Sequence, residues 1–256
     1  MPYNLRIPGW MPESELKTIE RLAFTIPKHG KMVEIGPFCG RSSWCWSKSA
    51  DPTVKVTCID IWNPQEHPYQ PPTQIKPERG KGVKPDFGVA ERHEQTRGTL
   101  ENFRWYTRNC PNIVPLQGRS PYDFKDWSEP LDLVFLDGVH HNPIFWDDLN
   151  FWFWKVVPGG ICCGDDFART HPDVIWGVQD FAKIHGLTFL VIGRIWILPR
   201  PPHGDVIQAL QRHALQRSSE PRMDTESPAR QFGPPNRRRR RRPEPRPRPL
   251  RESPAR

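Results

Sequence analysis

The chain has 256 residues, 36% of them hydrophobic, and a formal net charge of +8. That length buries one sizeable α/β core and excludes a second full domain beside it. The charge is local: residues 218–256 hold twelve Arg against five acidic residues, so the preceding 217 carry a net +1, which excludes a body that is basic throughout.

The six Cys at 39, 45, 58, 110, 162 and 163 form no CxxC pair, and most sit in apolar runs where a thiol behaves as a small hydrophobe. Reduced thiols are expected. The N-terminus MPYNLRIPGW lacks an apolar signal core, and no stretch approaches the roughly eighteen uncharged residues of a membrane span. The expectation is a soluble, cytoplasmic protein with no membrane partner.

In chain order, Leu16, Ile19, Ala23 and Ile26 share one face of a packing helix within residues 12–26, itself part of an N-terminal segment 1–29. Lys31–Ile35 predicts a strand that runs into the turn Gly36-Pro-Phe-Cys-Gly40, followed by a helix from Ser42 to Ala50. Val54–Ile59 is the next strand, one short helix away, the spacing of a right-handed βαβ unit. Residues 63–92 carry Pro, Gly and charge without apolar periodicity and read as a substrate lid.

A helix over 94–108 leads to a strand at Ile113–Leu116, and LDLVFL at 131–136 is the strongest buried-strand signal in the chain. Residues 143–156 repeat apolar groups at 145, 149, 152, 153 and 156 and predict a helix buried against the sheet, with Trp146 and Trp154 turned elsewhere as interface markers. Pro158-Gly159-Gly160 precedes a strand at Ile161–Gly164, Thr170 to Asp173 suggests a capped helix start, and Gly186 its stop. Leu187–Ile192 and Ile195–Leu198 form a terminal hairpin. The fold expected is α/β, a Rossmann-like doubly wound, mostly parallel seven-stranded sheet with a C-terminal antiparallel hairpin, over residues 30–200. A helical extension at 201–217 and a disordered Arg/Pro-rich tail at 218–256 follow.

In such a sheet ligands gather beyond the carboxyl ends of the strands. Glu34, the Gly36–Gly40 turn, Asp60, Gly118–Ser120, Asp137 and Asp165-Asp166 all fall in or just after strands, on one rim. The two glycines allow close backbone approach to a ligand. Asp60, at about the twenty-residue offset of a ribose-binding carboxylate, is placed to accept ribose hydroxyls, and Trp62 to cover an adenine face. Asp137, Asp165 and Asp166 would repel one another unless a cation or protons compensate them, and an all-oxygen set suits Mg²⁺, or Mn²⁺ or Ca²⁺. His140, three residues past Asp137, is the candidate catalytic base, with His141 the weaker one.

The ordered set VEIGPFCGRSS, CIDIW, LDLVFLDGVHH and PGGICCGDDF resembles class I S-adenosylmethionine-dependent methyltransferases, over about residues 30–200. The EIGxxxGxS form, with Phe38 in place of a middle glycine, is similar to metal-dependent small-molecule O-methyltransferases of the catechol and macrolide-sugar type. The resemblance implies that S-adenosylmethionine is the cofactor, with Glu34 and Gly36 bordering its methionine and Pro37, Gly40 and Ser42 of the same segment also cofactor-binding. It implies further that Asp60 binds the ribose, with Ile61 and Trp62 beside it also cofactor-binding, that Gly118, Arg119 and Ser120 border the adenine, and that Asp137 lies beside both cofactor and metal. The implied acceptor is the hydroxyl of a small molecule or sugar. Two other readings stay open at this point: an RNA-associated methyltransferase anchored by the Arg237–Arg242 run, and a non-catalytic cofactor-binding scaffold. Nonspecific nucleic-acid contact through the tail and homo-oligomerisation are the remaining partner expectations.

Overall fold

Seven strands and five helices alternate along the chain in a computed structural model that describes residues 2–63 and 98–202. They are α1 (Glu13–Ala23), β1 (Lys31–Ile35), α2 (Arg41–Ser49), β2 (Lys55–Asp60), α3 (Leu100–Thr107), β3 (Ile113–Gln117), β4 (Leu131–Leu136), α4 (Ile144–Phe153), β5 (Val156–Gly164), α5 (Pro172–Ile184), β6 (Leu190–Ile192) and β7 (Ile195–Pro199). Apart from Asn63, the expected lid lies outside the described residues, as do residues 94–97 of the expected third helix, all but two residues of the 201–217 extension, and the tail.

The strands form one sheet in the order β3-β2-β1-β4-β5-β7-β6. The first five strands pair in parallel, while β7 runs antiparallel to both β5 and β6. The doubly wound expectation with a reversed terminal hairpin is met. Because the order reverses between β1 and β4, the connections that follow them leave toward opposite faces of the sheet, and the crevice where such sheets bind ligands lies beyond their carboxyl ends.

Strand alternation sorts the core into two layers. Met32, Cys58, Leu133, Phe135 and Cys163 face α1 to α3 and pack with Leu16, Ile19, Trp46 and Phe103. Val33, Ile35, Ile59, Val134, Leu136 and Cys162 face α4 and α5 and pack with Leu149, Trp152, Val178 and Phe181. The predicted faces of α1 and α4 are buried, whereas Trp154 is half-exposed. Burial decides α1: Leu16, Ile19 and Leu22 are fully buried, each worth about 1.5–3 kcal/mol. Its exposed Lys17–Glu13 ion pair, of a kind worth at most about 1 kcal/mol, is minor. All six cysteines are buried, and none forms a disulfide.

Three local expectations need correction. Strand β5 begins at Val156, because Pro158–Gly160 is absorbed as an irregularity in its pairing with β4, and Gly159 N–H donates to the Arg200 carbonyl at 2.8 Å. The residue capping α5 is His171, with no side-chain cap, and Thr170 Oγ1 instead lies 3.1 Å from His171 Nδ1. Strand β6 is only three residues long, since Leu187 and Phe189 pack against the α4–α5 core instead.

Candidate active site

The turn between β1 and α2 is built on backbone that disfavours side chains. Gly36 and Gly40 have φ of 80° and 93°, and Phe38 between them adopts 51°. A Cβ on Gly36 would overlap the Asp137 carbonyl oxygen, so the loops after β1 and β4 touch across the switch point. Gly36 N–H donates to the Ile59 carbonyl at 2.9 Å, and Gly40 N–H to Pro37 at 2.7 Å, fixing the turn at both ends.

Beneath this turn Glu34 is fully buried. Its Oε2 accepts from the Ser43 hydroxyl and, at 3.4 Å, from the Cys58 thiol. Ser42 also bonds this carboxyl, but burial outweighs these donors and raises the Glu34 pKa. Glu34 Oε1 has no hydrogen-bond partner, leaving a buried acceptor directly under the glycine turn.

Asp60 closes β2 with both oxygens in use. Oδ2 accepts Phe38 N–H at 3.2 Å and Oδ1 accepts Trp62 N–H at 3.0 Å, tying the acid to the glycine turn. Burial pushes its pKa up to about 6 despite these donors. A carboxylate has about four lone-pair sites, and with the Ile61 N–H also directed to Asp60, at least one remains for a further donor.

Trp62 departs from its expected place. Its indole is buried, packs on Phe103 at 4.8 Å, and donates from Nε1 to the Phe38 carbonyl at 3.0 Å, so it braces the turn and offers no open face to a nucleobase. Ile61 accepts from Gln117 Nε2 at 2.8 Å. In the loop after β3, Gly118 N–H donates to the Asp60 carbonyl at 3.0 Å, which brings that backbone to the end of β2. Arg119, exposed, pairs with Asp123. The Ser120 hydroxyl donates to Asp148 Oδ1 at 2.5 Å and accepts from Trp152 Nε1 at 2.7 Å.

At the ends of β4 and β5, His140 Nε2 lies 2.6 Å from Asp166 Oδ2 and 3.7 Å from Asp137 Oδ1. His171 Nδ1 is 3.3 Å from Asp166 Oδ1. Burial raises the Asp137 and Asp165 carboxyls, opposed by His140 at the first and by Arg194 at the second. His141 is half-exposed and faces Asp173 at 3.8 Å.

The expected all-acidic metal set takes a different form. Among the described residues, the ligand atoms that converge within 4.8 Å belong to His140, Asp166 and His171, two imidazoles and one carboxylate. Asp165 Oδ1 is drawn to Asp166 N–H at 2.7 Å, and the Arg194 guanidinium is ion-paired with Asp166. A hard octahedral ion such as Mg²⁺ prefers oxygen donors, so this set does not suit it.

Sequence reasoning missed Arg194, Ser43, Arg41 and His171. Buried Arg41 donates to the carbonyls of Ile7 at 2.8 Å, Met11 at 3.0 Å and Leu5 at 3.4 Å, fastening residues 5–11 to the first turn of α2. The readable signal for Arg194 was its place in the Gly193-Arg194 hairpin turn: antiparallel pairing of Trp196 with Gly164 carries residue 194 to the acids after β5.

Residues 33–167 match the family model described as a methyltransferase domain. Among solved structures, cofactor-bound Rv0187 from MTB aligns at 16% identity and a TM-score of 0.50, over 76% of this chain and 83% of that one. A Staphylococcus aureus protein provisionally assigned as a caffeoyl-CoA O-methyltransferase aligns at 14% identity and 0.50, over 76% and 86%. A Corynebacterium glutamicum protein aligns at 12% identity and 0.52, over 77% and 85%. At these identities the likeness is one of fold.

Proposed function

Because the chain belongs to the methyltransferase-domain family, we propose that it transfers a methyl group from S-adenosylmethionine to a hydroxyl of a small molecule or sugar, with His140 as the base. The observation that carries this reading is His140 at the switch-point crevice, its Nε2 facing Asp166 and Asp137. With Nε2 turned to the carboxylates, Nδ1 is the nitrogen available to an acceptor hydroxyl.

The cofactor supplies an electrophilic methyl carbon on a sulfonium. His140 would take the proton of an acceptor hydroxyl as that oxygen receives the methyl group. Asp166 and Asp137 stabilise the imidazolium that results, as a carboxylate beside a catalytic histidine does. The glycine turn would admit the cofactor backbone-close, and Asp60 would accept a ribose hydroxyl at its remaining lone pair.

Two measurements test this. Calorimetry should show S-adenosylmethionine binding that Asp60→Ala weakens about 10- to 100-fold, since a hydrogen bond to a charged group contributes about 1.5–3 kcal/mol. Equal affinity in the variant removes the ribose assignment. A methyl-transfer assay with labelled cofactor across phenols, sugars, polyketides and RNA should label hydroxyl acceptors, and label confined to RNA would replace the acceptor class.

A further inference from the structure

The acids at the end of β5 need a positive partner, and the fold brings one from β7. Phe167 N–H donates to the Arg194 carbonyl at 2.9 Å, and Trp196 Nε1 to the Asp165 carbonyl at 3.1 Å, so the hairpin turn is bonded to the acidic segment at two points. From this fixed backbone the Arg194 guanidinium reaches Asp166, and its Nε lies 4.0 Å from both Asp165 Oδ1 and Glu15 Oε1.

We infer that Arg194 is the resident cation of this rim: it stands where a divalent ion would bind Asp165 and Asp166, and methyl transfer here is independent of metal. The inference rests on the O-methyltransferase reading above. A divalent ion at Asp166 would sit within a few ångström of the guanidinium in a partly buried site, where like charges repel strongly. Arginine cannot give up its proton to relieve that repulsion. His140 and His171 already occupy the other sides of the same carboxylate. Arg194 is thus a positioning residue, which holds Asp166 against His140 without touching the acceptor.

The test reads metal binding directly. The full-length protein, Arg194→Gln and Arg194→Lys are each saturated with S-adenosylmethionine and titrated with MgCl₂, MnCl₂ and ZnCl₂ by calorimetry and thermal melting. The native protein and Arg194→Lys should bind none of the ions stoichiometrically, whereas Arg194→Gln should gain Mg²⁺ or Mn²⁺ binding at least about tenfold tighter as the carboxylates are freed. One-to-one binding of any of the three ions by the native protein, Zn²⁺ at the two imidazoles included, overturns the proposal, as does an Arg194→Gln protein that gains nothing. Should Arg194→Gln fail to bind cofactor, the native titration decides alone. Failure of the native protein to bind cofactor would count against the methyltransferase reading instead.

Discussion

The Ser120 hydroxyl donates a 2.5 Å hydrogen bond to the buried carboxyl of Asp148 while accepting one from Trp152, so a single serine joins the loop after β3 to the core face of α4. Burial pushes the Asp148 pKa up to about 7 from 3.8. The folded chain therefore keeps this proton over a range in which the unfolded chain has lost it. The stabilisation is fully present below about pH 4 and is lost as pH rises through 7. Asp148→Asn, neutral at every pH, should flatten the fall in melting midpoint between pH 5 and 8 that the native protein shows. Parallel curves for the two proteins would mean that Asp148 titrates normally. Asp60 and Glu15, raised to about 6 and about 7, add slopes of the same sign that cancel in the comparison.

Gly36→Ala should be far more damaging than Gly186→Ala, although both glycines have positive φ. At Gly186 nothing lies within 4 Å of an added Cβ, so only backbone strain, about 1–2 kcal/mol, is expected. At Gly36 the same strain is joined by overlap with the Asp137 carbonyl and Gly138 Cα, backbone atoms that cannot yield cheaply. Urea unfolding should show at least about 3 kcal/mol lost at Gly36, with cofactor binding lost alongside. Similar losses at the two positions would mean that the loops after β1 and β4 do not meet.

His140→Ala should lower kcat by about 10²- to 10⁴-fold, the usual contribution of a general base, and leave cofactor affinity within about twofold. His141→Ala, removing a half-exposed ring directed to Asp173, should change kcat little. A reversal of that ranking would move the proton acceptor one residue along.

The strands were readable because their β-branched and aliphatic runs are local and each is closed by Gly, Pro or Asp, as at Ile35-Gly36 and Leu136-Asp137. The rim was readable for the same reason, since strand ends place Glu34, Asp60 and Asp137 whatever their side chains do. The partners of those acids were not legible. Arg194 follows Asp166 by 28 residues and reaches it only through antiparallel pairing of β7 with β5, and Ser43 reaches Glu34 by the rise of a helix turn behind it. Trp62 carried the same pattern as a ligand-covering aromatic, and only the position of Phe103 reveals that its ring is internal.

The six buried thiols turn the chain into its own recorder of opening. Burial raises Cys39 and Cys45 to about 12 and Cys162 higher still, so almost none of the reactive anion exists at neutral pH. An alkylating reagent then finds nothing to modify until a segment comes apart. Each site marked over time dates a separate excursion: Cys39 that of the turn after β1, and Cys162 and Cys163 that of the strand leading to the acids.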